Sequence, residues 1–240
     1  MKTIFHKASE RGHADHGWLN AHHSFSFAEY HDPNKVHFGL LRVLNDDIVA
    51  GGTGFGRHPH DNMEIVTIPL EGALKHQDST GGEGIIRKGE VQIMSAGSGI
   101  FHSEVNASRT EPVNLFQVWV FPKERNIQPR YDQKMFDKEK RMNRLCTVVS
   151  PDKADAEKDG ALWINQDAFF SLGAYENATE LKYAMKRPGN GVYVMVVDGS
   201  AEISGQQLGK RDAIGVWESD EVPVKVAANT ELLLIEVPMN

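Results

Sequence analysis

Two couples of residues at alternate positions, His58-Pro59-His60 and His102-Ser103-Glu104, each lie in a glycine-punctuated stretch with the composition of a β-strand. Successive side chains on a strand point to opposite faces, so the members of each couple point the same way. Two such couples on neighbouring strands can therefore converge on one point. Three imidazoles and a carboxylate suit iron, manganese, nickel, copper or zinc, whereas calcium and magnesium favour all-oxygen shells. His58-x-His60 is the only His-x-His of the chain, His102-x-Glu104 is its only His-x-Glu, and all 11 histidines lie at or before His102. The expected site is thus a metal centre of His58, His60, His102 and Glu104. Neutral imidazoles and one carboxylate leave a divalent metal with net positive charge. If it is octahedral, two positions stay open for water, O2 or a chelating pair of oxygens.

Other chemistry-bearing residues fit ordinary roles. His76, in KHQDS, reads as a turn or surface histidine, the other reading being a partner behind a metal ligand. His22 and His23 are adjacent, so on a strand at most one faces inward. His13 and His16 fall in a glycine-interrupted N-terminal loop, and Cys146 reads as a small buried residue. The glycines at 51, 52, 54 and 56 lack the Lys-Ser/Thr of a phosphate loop and fit turns and close packing. Ser98 and Ser103 show no nucleophile-elbow pattern.

The elements that must position the ligands are short strands. Runs such as HFGLLRVL, EIVTIPL, EVQIM and NLFQVWVF, then LCTVV, GVYVMVV, PVKVAA and ELLLIEV, alternate with Gly, Asn and Asp turns. Strands of this length and spacing indicate an all-β sandwich or barrel. Between Pro122 and Leu145 the composition shifts to eight Lys or Arg and four Asp or Glu with few β-branched residues. That shift predicts a linker at 126–144, with a short helix near Gln133–Arg141. The domains expected on either side are 1–125, carrying the metal, and 145–240, a second barrel without ligand spacing. Gly191–Val197, Asp198-Gly199 and Ser200–Ser204 read as a hairpin.

A chain of 240 residues with 40% hydrophobic and 25% charged residues can bury an ample core. Its net charge of −7 offers no general attraction to nucleic acid or anionic lipid. With Cys146 the only cysteine, no intramolecular disulfide can form. No apolar run approaches the roughly 18 residues that span a bilayer. A cytoplasmic monomer is the expectation, with neither nucleic acid nor membrane as partner.

The stretch from Gly52 to Glu64, followed by Gly89 to Asn106, resembles the two motifs of cupins, double-stranded β-helix (jelly-roll) barrels that hold a metal at one end. More closely, HPH followed by MEIVT and LEGALKHQDSTG, then MSAGSGIFHSEVN and EPVNLFQVW, resembles the pirin family of two-domain cupins, as do SFSFAEYHDP and FGLLRVLNDD upstream. The likeness spans most of 17–122 and implies a bicupin whose second barrel is metal-less. It implies His58, His60, His102 and Glu104 as ligands and excludes Glu64, a ligand in many other cupins. Asp61 stands where many pirins carry Arg. The activity implied is that of a quercetin 2,3-dioxygenase: a flavonol, or another enol-bearing aromatic, is opened by O2 with release of CO, and Glu104 takes the 3-hydroxyl proton. The cofactor expected is one divalent transition-metal ion, iron first, with nickel, copper, manganese, zinc and cobalt open. The alternative is a metal-binding, redox-sensing regulator that binds a protein partner.

Overall fold

In the computed structural model, which describes residues 1–240, alternation fixes which faces are buried. The first half contains β1 (Lys2–His6), β2 (Gly12–Asp15), β3 (Leu19–His23), β4 (Leu41–Val49), β5 (Gly54–His60) and β6 (Glu64–Glu71). It continues with β7 (Ala73–Asp78), β8 (Glu83–Arg87), β9 (Glu90–Ser95), β10 (Ile100–Asn106), β11 (Val113–Val120) and β12 (Arg130–Met135). A seven-stranded antiparallel sheet, ordered β12-β9-β6-β11-β4-β3-β2, accompanies a four-stranded sheet ordered β5-β10-β7-β8. The second half repeats this plan with six strands of its own plus β1 in the large sheet and four in the small one. The molecule is all-β and built of two barrels, as the strand pattern predicts.

The two large sheets supply the join between barrels. On β11, Phe116, Val118 and Val120 enter a continuous core with Leu44, Val66 and Ile93 from the first barrel and Val148, Phe170, Tyr193, Leu233 and Ile235 from the second. The alternate residues of β11, Leu115, Gln117 and Trp119, consequently face the interior of the first barrel. Both faces of this sheet are buried, so its polar residues need partners inside the protein.

β1 crosses between barrels. It pairs with Ala213–Trp217 at the edge of the second barrel's large sheet, and His6 lies 2.9 Å from the Tyr193 hydroxyl. Arg211 adds a polar tie, stacking over Phe116 while its Nε donates to Asp46 at 2.7 Å.

Two local expectations change. Within 126–144, Arg130–Met135 is strand β12, paired with β9, and only Lys138–Arg141 forms a single 3-10 turn. The unpaired edge of β9 captures this charged segment, an influence that local composition does not carry; its Lys and Arg side chains suit an edge strand. The chain does turn at Gly199, where φ is 82°. However, Asn190–Asp198 stays in the large sheet while Ala201–Ile203 enters the small one, pairing with Gln206–Leu208 and Glu221–Val226. Alternation identified both strands, but the turn is a corner between sheets and not a hairpin. No helix is long and apolar enough to cross a membrane.

Candidate metal centre

β5 and β10 are antiparallel neighbours, with His58 opposite His102 and His60 opposite Ile100. The register slips between His102 and Glu104, where Glu104 meets Phe55, so β5 carries one extra residue at Gly56-Arg57. Such a bulge re-aims the side chains beside it. Gly54 allows the approach: a Cβ there would stand 2.4 Å from Val105 Cα and 2.5 Å from the Glu104 carbonyl oxygen. Ring centroids are 4.9 Å apart for His58 and His60, 4.4 Å for His58 and His102, and 4.8 Å for His60 and His102.

The protonation states suit ligands. His58 Nδ1 donates to the Gly56 carbonyl at 2.8 Å, leaving Nε2 as the lone-pair nitrogen. Burial, reinforced by His58, pulls His60 down to about 4. Burial again, then the neighbouring imidazoles of His58, His60 and His76, pulls His102 down to about 2. Both are neutral at pH 7. His102 Nε2 is buried with no hydrogen-bond partner, a cost that a metal ion would relieve. The donor atoms of His58, His60 and His102 lie within 4.8 Å of one another, so the cluster could hold a metal ion.

Glu104 belongs to an overlapping cluster with His102 and His76. Gln117 Nε2 donates to its Oε2 at 2.8 Å, and the Thr67 hydroxyl lies 3.3 Å from its Oε1. Burial raises the affinity of Glu104 for a proton, and His76 and these donors oppose the rise. The supporting residues form one lateral row across the large sheet, His23–Asn45–Gln117–Thr67–Gln92, each opposite the next in register. A cavity of about 220 Å³ lies between this row and the histidines, lined also by Leu19, Phe27, Phe55 and Trp119. One water occupies roughly 30 Å³ of liquid, so this space suits an organic ligand.

His76 departs from its expected surface position. It is wholly buried, hydrogen-bonded through Nε2 to Asp78 at 3.0 Å, and stacked on Tyr131 of β12. Of the adjacent pair, His23 faces the cavity, donating Nδ1 to Asn45 at 2.9 Å, while His22 stacks outside on His13. Cys146 is buried, as expected. Glu64 stands outside both clusters: its Oε2 accepts from Ser95 Oγ at 2.8 Å and from the Asn165 backbone at 3.1 Å, tying the barrels together. Burial, eased by those bonds, pushes its carboxyl up to about 7. Sequence reasoning passed over Thr67, Gln117 and the Asn45–Asp47 pair, although each interrupts an otherwise apolar strand at a similar depth.

Residues 4–120 match the family model described as Pirin, and residues 147–237 that of the quercetinase C-terminal cupin domain. Over 235 residues the chain is 43% identical to quercetin 2,3-dioxygenase of Escherichia coli strain K12, covering 97% of each protein. The chain belongs to the pirin family. A pirin-like protein of Caulobacter vibrioides is 42% identical over 94% of this chain and 95% of its own length. The crystal structure of the bacterial pirin YhhW from E. coli in complex with nickel(II) aligns with this pirin at a TM-score of 0.91 and 40% identity, over 99% of each chain. The two barrels are accordingly a bicupin.

Proposed function

We propose that this pirin is a metal-dependent dioxygenase that opens the central ring of quercetin or a related flavonol with O2 and releases CO. His58, His60, His102 and Glu104 hold one divalent transition metal, iron or another of the first row. The observation that carries this reading is the convergence of three imidazoles, one with an orphaned buried Nε2, on a cavity of organic-ligand size. The 43% identity to the E. coli quercetin 2,3-dioxygenase supports the choice of substrate. A cavity at the cluster favours an enzyme over a regulator, which needs a responsive surface and no pocket.

When bound, the metal supplies Lewis-acid polarisation of a chelating enol and an electron-transfer partner for O2. The chain's residues do the rest. Gln117 fixes Oε2 of Glu104, and Oε1, held only by the longer Thr67 contact, is the freer oxygen. Glu104 Oε1 takes the flavonol 3-hydroxyl proton, the role of a carboxylate within hydrogen-bond reach of that hydroxyl. Phe27, Phe55 and Trp119 line the cavity with rings that accept a planar aromatic body and keep water from it.

The test is aerobic quercetin turnover by protein reconstituted separately with iron, nickel, copper, manganese, cobalt and zinc, with CO measured. Metal-dependent CO release that disappears in a His58→Ala, His60→Ala variant is the expected result. Stoichiometric metal with no CO from any preparation would refute the reading.

A further inference from the structure

β4 sends Val43, Asn45 and Asp47 toward the interior of the first barrel. Asn45 is paired with His23, but Asp47 has no such relief. The residue is 5% exposed and its Oδ1 is buried without a hydrogen-bond partner; Asp47 lines the same cavity as His58, His60, His102 and Glu104. A buried carboxyl left unmatched is costly, and it persists where something else satisfies it.

Its position indicates what that something is. Across the sheet Asp47 stands opposite Ala21 on β3 and Leu115 on β11. It is therefore the polar member of an otherwise apolar row, one step beyond the row that holds Glu104 through Gln117 and Thr67. Trp119, packed on His60 with centroids 4.9 Å apart, lies two rows away. Two rows are four residues, roughly 13 Å along a strand. Leu19 and Phe55 flank this end of the cavity. A ligand that extends from the histidines to Asp47 passes along apolar lining and meets the carboxyl with a hydrogen-bonding group away from its anchored end.

We infer that Asp47 is a specificity residue: its carboxyl hydrogen-bonds a hydroxyl carried on the ring system of the substrate, remote from the chelating enol, so the site selects polyhydroxylated flavonols over unsubstituted ones. The inference rests on the flavonol reading above and adds to it the feature that the site recognises. Burial, then Asp46 and Glu104, pushes the Asp47 carboxyl up to about 8. It is mainly protonated at pH 7, both donor and acceptor, and complementary to a phenol that is also both.

The experiment measures binding, not turnover. Anaerobic titrations of the metal-loaded protein compare 3-hydroxyflavone, which carries the chelating group alone, with flavonols hydroxylated on one or both outer rings. Wild type is expected to favour at least one hydroxylated flavonol by about ten-fold or more, the scale of one buried hydrogen bond. Asp47→Leu should bring that ratio close to one with the metal content retained, and Asp47→Asn, which still donates and accepts, should keep most of the preference. Should Asp47→Leu fail to fold, the ligand series on wild type reads the same contact from the substrate side. Equal affinities across that series, or a preference that survives Asp47→Leu, would overturn the assignment of Asp47 alone. Failure of every flavonol, 3-hydroxyflavone included, to bind would instead refute the flavonol reading, and this inference with it.

Discussion

The Nδ1 atoms of His102 and His76 face each other across 3.5 Å in the barrel interior, and His76 Nε2 lies 3.0 Å from Asp78 Oδ2. The Asp78 carboxylate can only accept, so His76 donates from Nε2, and in the neutral imidazole this leaves Nδ1 as a lone pair. His102 must then carry its own proton on Nδ1, which turns the Nε2 lone pair toward His58 and His60. The chain ends firmly, since Asp78 Oδ1 accepts from the Thr80 hydroxyl and from the Thr80 and Gly82 backbones. One carboxylate thus sets the tautomer of His102, two residues removed.

Replacing His76 with Leu should leave the barrel folded yet weaken metal binding by about 10- to 100-fold, because His102 loses the acceptor that selects its tautomer. Gln at this position can accept from His102 through its Oε1 and should recover part of the loss. Competition against a chelator of known affinity measures both; equal affinity in the Leu variant would show that His76 is only packing.

Glu104 should act as a base whose readiness depends on Gln117. Removing the donor in Gln117→Leu disfavours the carboxylate, raising the proton affinity of Glu104 beyond the rise that burial already imposes. The acid limb of the kcat profile should therefore move to higher pH. Glu104→Gln, which cannot take a proton, should lose roughly 10²-fold or more in turnover. Full turnover in a Glu104→Gln protein that retains its metal would exclude the base role.

Glu64 tests the ligand set from the other side. Its Oε2 is committed to Ser95 and to the Asn165 backbone. Glu64→Gln should keep the full metal complement, while Glu64→Ala, which strands those donors, should lower stability by about 1–3 kcal/mol. Loss of metal in the Gln variant, read by elemental analysis, would restore Glu64 as a ligand.

His6 links stability to pH. Burial lowers it to about 4 from an ordinary value near 6.5, opposed by Glu10 and Asp32 and helped by Lys35. The unfolded chain binds a proton that the folded one refuses between those values. The contribution of His6 is therefore present above pH 6.5 and is lost as pH falls toward 4, by roughly 3 kcal/mol in all. Denaturant titrations of wild type and His6→Gln at pH 7 and pH 4.5 should show a smaller acid loss in the variant. Parallel losses would place the acid sensitivity elsewhere.

The legible part of this chain was local. The clustering of His58, His60 and His102 follows from alternate spacing because a strand repeats every two residues, whereas Glu104 falls in the overlapping cluster with His76 and His102; two barrels could be read from repeated strand and turn signals. His76 was misjudged because KHQDS looks like a turn; its burial comes from Tyr131 of β12, which arrives from a segment that composition marks as linker. Asp47 and Gln117 depend on registers between β4 and β11 that no local signal sets. The corner at Gly199 failed for the same reason: strand identity is local, but sheet membership is not.

The most direct test of the central claim is an anaerobic absorbance titration of metal-loaded protein with quercetin, alongside the His58→Ala, His60→Ala variant. Chelation at the four-residue centre predicts a shifted flavonol band that saturates at one quercetin per bound metal and is absent from the variant. An unshifted band in protein carrying one metal per chain, or an equal shift in the variant, would contradict it.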